Sequence, residues 1–136
     1  MHAATEQLRQ LLARVRSPAR RVLKLFTGTA DYWLEYMEEF LVIFPAPSVR
    51  RSLAVSSSGV PFGQSPAAQD SLQLYYRTVD EYSQTLARPP MPSHLAANIL
   101  MAAVHGMIVF PCMSRSMEWT DTRLMVKHLV AGMVSE

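Results

Sequence analysis

The stretch from Leu95 to Met113, LAANILMAAVHGMIVFPCM, is apolar on nearly every face, with Asn98 and His105 as its strongly polar side chains. As a helix it needs cover on all sides. A short break, SRSMEW, separates it from a second helical pattern, TDTRLMVKHLVAGMVSE, which carries one broad apolar face. The final helix is too short to cover the apolar one alone. The remaining cover is expected from helices upstream and from a second copy of the chain.

Upstream, Leu8, Leu11, Leu12 and Val15 fall at the spacing of one helical face and predict a short amphipathic helix over residues 3–15. Ser17-Pro18 is a restart signal, because serine caps the first amide groups of a helix and proline fits its first turn. Val22, Phe26, Ala30, Trp33, Met37, Phe40 and Phe44 then step by four and three residues. That spacing predicts one continuous helix of about seven turns as the main wall of the core. Gly28 lies inside it and marks a candidate bend, at a cost of about 1 kcal/mol relative to alanine.

Pro45 and Pro47 end this stripe. Ser48–Val55 is read as a short connecting helix, and the aperiodic SSSGVPFGQS after it as a mobile surface loop. Ser65-Pro66 repeats the cap-and-proline start, and Leu72, Tyr75, Tyr76, Val79, Tyr82 and Leu86 share one face of the helix that follows. ARPPMPS breaks the chain again, with Ser93 expected to cap the apolar helix. No strand alternation, tandem repeat or heptad array occurs. The fold class is therefore all-α, a bundle of about six helices in a single domain over residues 1–136.

A chain of 136 residues can bury a core without staples. Its single Cys112 sits among Phe110, Pro111 and Met113, as a small buried hydrophobe would, and cannot form an internal disulfide. Glu6, Arg9 and Arg14 interrupt every early apolar run, so no secretory leader is read and a cytoplasmic protein is expected. A net charge of +2 does not imply nucleic-acid binding by the whole chain. Arg14, Arg16, Arg20, Arg21 and Lys24 crowd one segment without an acid between them, and a solvated helix junction is the favoured reading over a phosphate contact.

Catalysis finds little support. There is no Gly-x-Ser-x-Gly elbow and no phosphate-cradling glycine pattern, and His2, His94, His105 and His128 have no metal-ligand spacing among themselves or with Cys112. Glu35, Glu38 and Glu39 lie off the apolar stripe and read as a solvated face. Neither an enzyme, a metal nor a cofactor is expected.

The aromatic and methionine content is more telling. Phe26, Trp33, Tyr36, Met37 and Phe40 on the long helix, with Tyr75, Tyr76 and Tyr82 on the next, offer apolar surface tipped by a few polar donors. That mixture suits an apolar or aromatic small molecule, and it equally suits an ordinary helical core. Asn98 and His105 are seven residues apart, which places both on one side of their helix. Each needs a polar partner if buried, whether a core tyrosine, a backbone carbonyl, a ligand or another subunit. The apolar helix is also near the length that spans a bilayer. Asn98, His105, Pro111 and the amphipathic flanks argue against insertion.

The order of these helices, and above all the Ala102-Ala103-x-His105-Gly106 stretch followed by a polar break and a closing amphipathic helix, resembles the ligand-binding half of the tetracycline-repressor (TetR) family. The resemblance implies a C-terminal effector-binding and dimerisation domain of a transcriptional regulator. It implies a small hydrophobic or aromatic effector held by Trp33, Tyr36, Met37, Phe40, Tyr76, Tyr82, Asn98 and His105. It also implies a homodimer through the last two helices, with Ile99, Ala103, Gly106, Phe110, Met125, Leu129 and Met133 at the interface. The family's helix-turn-helix is not found in this sequence, so DNA contact is expected only through an N-terminal domain outside it. The competing classes are a stand-alone helical interaction module and, less favoured, a small cofactor-independent enzyme with His105 as general base.

Overall fold

A computed structural model describes residues 2–43, 65–114 and 116–134. Among the described residues six helices run in order: α1 (His2–Leu12), α2 (Pro18–Glu35), α3 (Met37–Ile43), α4 (Pro66–Ser83), α5 (Ser93–Met113) and α6 (Thr122–Met133). The described residues form an all-α bundle with no strand. The connecting helix expected at Ser48–Val55, the Phe44 end of the long stripe and the Ser-Gly-Pro loop up to residue 64 lie outside the described residues.

Starts follow the capping logic. The Ser17 hydroxyl accepts from the Arg20 amide at 3.3 Å, and the Ser65 hydroxyl from the Ala68 amide at 3.1 Å, each with proline in the first turn. Asp121 does the same for α6, accepting from the Arg123 amide at 3.1 Å. Ser93 departs from its expected role. It is the first residue of α5, and its hydroxyl donates to Asp80 Oδ1 of α4 at 2.8 Å, tying two helices together where a cap was anticipated.

The long stripe is also not one helix. Its break falls at Tyr36 (φ −111°, ψ 48°), about two turns past Gly28, and separates α2 from α3. Gly28 serves a close approach instead of a bend. A Cβ there would stand 2.8 Å from Leu11 Cδ2 and 3.1 Å from Leu8 Cδ2, so its hydrogen is what lets α1 lie against α2. The stripe itself is buried: Val22, Phe26, Ala30, Trp33 and Phe40 are all nearly inaccessible, joined by Leu25, Thr29 and Tyr32.

α2 is the hub, packing against each of the other five helices. α4 and α5 lie side by side, and the main neighbour of α6 is α2. Arg21 fastens the α1–α2 junction. Its Nη1 donates to the carbonyls of Leu12 at 2.7 Å and Val15 at 3.1 Å, which end α1, and its Nε lies 3.6 Å from Glu81. One of the five clustered cations is thus committed to the fold.

α5 runs on through Pro111, which has no amide hydrogen for the Met107 carbonyl one turn back. The Thr122 hydroxyl, opening α6, stands 3.4 Å from that carbonyl and replaces the missing donor. The same proline that weakens the last turn of α5 therefore gives α6 a docking point.

Candidate functional site

The α1, α2, α3, α4 and α5 helices do not close completely on one another. Between them lies a partly open cavity of about 320 Å³, within the size range of small-molecule pockets. Ala4, Thr5 and Leu8 come from α1, Phe26, Thr29 and Trp33 from α2, and Phe40 from α3. α4 adds Ala68, Ser71, Leu72 and Tyr75, and α5 adds Met101, Val104, His105 and Ile108. Most of this lining is hydrocarbon or aromatic, with a few hydroxyls and one imidazole among it.

An aromatic ladder shapes one wall. The rings of Trp33 and Phe40 are 5.5 Å apart, and that of Phe40 is 5.1 Å from the His105 imidazole. Opposite, the Phe26 ring lies 5.4 Å from Tyr75. Tilted pairs at these separations are attractive beyond the area they bury.

The polar groups are ordered by a short relay. Thr29 Oγ1 is 2.7 Å from the Leu25 carbonyl oxygen, which can only accept, so the threonine proton points there. Tyr75 Oη is 2.7 Å from the same Thr29 oxygen, so the phenol must be the donor of that second bond. Burial pushes the Tyr75 phenol up to about 12, which keeps it protonated through the neutral range.

Three of the residues expected to hold a ligand meet here: Trp33, Phe40 and His105. The others are elsewhere. Tyr36 is 40% exposed, its ring packed 4.7 Å from Tyr32 outside the cavity. The Met37 sulfur is 3.9 Å from Cys112 Sγ, filling the α3–α5 contact. Tyr76 donates to Asn98 Oδ1 at 2.8 Å and stacks on His94 at 4.3 Å, an exposed polar cluster on the α4–α5 seam. Tyr82 borders a separate void of about 50 Å³ near Val22, Leu100 and Met133.

Asn98 and His105 share an azimuth as expected, but they stand roughly 10 Å apart along α5 and so meet different neighbours. The tyrosine partner anticipated for such a group serves Asn98 at an exposed site. Phe26 and Tyr75, read in the sequence as part of the aromatic surface, line the cavity as well, and the residues that sequence reasoning missed are Thr5, Thr29 and Ser71. A second cleft of about 400 Å³ between α1 and α2 is bordered by Gln7, Arg14, Asp31 and Glu35, an open charged groove.

The expected dimer residues divide similarly. Ile99 is 40% and Phe110 59% exposed, while Ala103, Gly106, Met125 and Leu129 are half-buried. Met133 is half-buried too, packed on the core beside the small void. Leu95 and Met113, not anticipated, extend the exposed face at 48% and 68%. α5 is long and apolar enough to cross a membrane, and only 22% of its apolar window is buried within the chain. Among the described residues no group of histidine, cysteine and acidic side chains could hold a metal ion. Comparison with protein-family models, curated proteins and solved structures finds no match.

Proposed function

We propose that this chain is the effector-sensing and dimerisation part of a TetR-like transcriptional regulator, holding one small apolar or aromatic molecule in the central cavity. The observation that carries the reading is the cavity of about 320 Å³ lined from five helices at the point where a bundle of this size would normally be packed solid. A ligand there touches α5 on the side of Val104, His105 and Ile108. On the opposite side of the same helix, Leu95, Ile99, Ala102, Gly106, Phe110 and Met113 recur at helical spacing and leave apolar surface open.

A second copy of the chain is the proposed cover for that face, because a monomer seldom leaves so continuous an apolar strip in water. Pairing there on a two-fold axis needs about 1,200 Å² of total buried area for a stable dimer. The coupling is then mechanical: a ligand that favours one position of α5 favours one dimer geometry, and a population shift follows. DNA contact belongs, in this reading, to a helix-turn-helix segment other than the six described helices, and the setting is cytoplasmic.

The test uses tryptophan emission. In a Trp119→Phe variant, Trp33 reports alone. Naphthalene should quench or shift it saturably, and should raise the melting temperature by binding only the folded state. Unchanged emission and melting at saturating naphthalene would remove the sensing claim. A second reading, an interaction module with a different protein partner, draws on the same open α5 face. It is favoured if light scattering finds a monomer at micromolar concentration.

A further inference from the structure

The relay that orders the cavity also decides what polar group a ligand can carry. Tyr75 has one proton, and it is given to Thr29, whose own proton is given to Leu25. The phenolic oxygen can therefore offer the cavity only its lone pairs. One helical turn earlier on α4, Ser71 borders the same space with a hydroxyl that can donate or accept. Two oxygens on one helix face, one restricted to accepting and one unrestricted, match a group that both donates and accepts.

We propose that the cavity selects a neutral apolar molecule ending in a hydroxyl, an alcohol or phenol, whose proton goes to Tyr75 Oη and whose oxygen is met by Ser71. The proposal rests on the reading that this cavity holds a small molecule, and adds the chemistry of its headgroup. An acceptor-only ligand, such as a ketone, sets a lone pair against the lone pairs of Tyr75. A carboxylate does so with a full charge in a mostly hydrocarbon enclosure, which is worse. The high phenol pKa supports the assignment, since it keeps the proton that makes Tyr75 a donor to Thr29.

The test is a calorimetric comparison of naphthalene, 2-naphthol and 2-acetylnaphthalene, three probes with one ring system and no, donating and accepting-only headgroups. The full chain should bind 2-naphthol about tenfold more tightly than 2-acetylnaphthalene. Thr29→Val removes the acceptor that holds the tyrosine proton, so Tyr75 becomes a donor to the cavity and the preference should disappear or reverse. Tyr75→Phe, which is conservative in shape, should bring the affinities of 2-naphthol and 2-acetylnaphthalene to within about twofold of each other. A merely structural role for Thr29 or Tyr75 would lower all three affinities together and leave the ratio unchanged.

Equal or tighter binding of the ketone by the unaltered protein overturns the headgroup assignment while leaving the cavity reading standing. So does a naphthol preference that survives in folded Thr29→Val. Absence of binding by all three overturns both.

Discussion

Replacing Tyr75 with phenylalanine removes one oxygen and tests the buried relay through its pH dependence. At neutral pH the loss is one hydrogen bond, the 2.7 Å contact to Thr29. Thr29 keeps its own bond to the Leu25 carbonyl, so no donor is orphaned and the cost belongs near about 1 kcal/mol. At high pH that advantage is lost. The native phenol titrates at about 12 against 10.0 for an ordinary tyrosine.

Above pH 10 the unfolded chain releases this proton while the folded one retains it, so stability falls as pH rises. The contribution is present below pH 10, is reduced by about 1 kcal/mol at pH 11, and falls further as pH rises through 12. The phenylalanine variant lacks this group, and subtracting the two stability curves cancels the other tyrosines. The curves should converge as pH rises from 10 towards 11, the native protein losing its advantage over the variant in that range. Urea unfolding followed by circular dichroism at pH 7, 9, 10 and 11 measures this directly. A gap that stays constant from pH 7 to 11 would mean that Tyr75 is solvated and that no proton is held in the cavity wall.

Phe110→Asp should convert the proposed dimer to a monomer by sedimentation with little change in monomer melting, since that ring is 59% exposed; Gly106→Ala serves as the control for helix tolerance, because its added Cβ would meet the Phe110 ring at an ordinary 3.7 Å. Gly28→Val should destabilise the fold by about 1–3 kcal/mol in urea unfolding, because a branched side chain enters the space already filled by Leu8 and Leu11. Val104→Phe should grow into the cavity and weaken naphthalene binding at least about tenfold by calorimetry while a cooperative melt is retained.

The helical architecture was legible because apolar residues at three- and four-residue spacing dominate the chain. The buried face of α2 appears where Val22, Phe26, Ala30 and Trp33 place it. The cavity was less legible, and the reason is polar. Thr29 and Thr78 are buried at 8% and 2% exposure because each hydroxyl bonds a carbonyl four residues back, at 2.7 Å in both cases. A hydropathy pattern counts such threonines as surface and shifts the inferred face of α4 toward Tyr76. The inward face of that helix adds Ala68, Ser71 and Thr78 to the Tyr75, Val79 and Tyr82 that the apolar spacing already placed there.

The break at Tyr36 was hidden for another reason, since neither glycine nor proline marks it. Its effect on the site is nevertheless large. α3 carries Phe40 over Trp33 and His105, while Tyr36 itself is left outside. Spacing along a continuous helix could place Phe40 on the stripe, but not select it as cavity wall over its neighbours.

The central claim is that the space between the five helices takes up a small molecule, and methyl-resolved nuclear magnetic resonance during a naphthalene titration tests it most directly. Leu8, Met101, Val104 and Ile108 line the cavity, whereas Val126 and Val130 are buried in α6 away from it. The account expects saturable shifts at the first four residues and none at the two valines. Shifts confined to exposed Leu95, Ile99 and Leu124, or none at all, would contradict it.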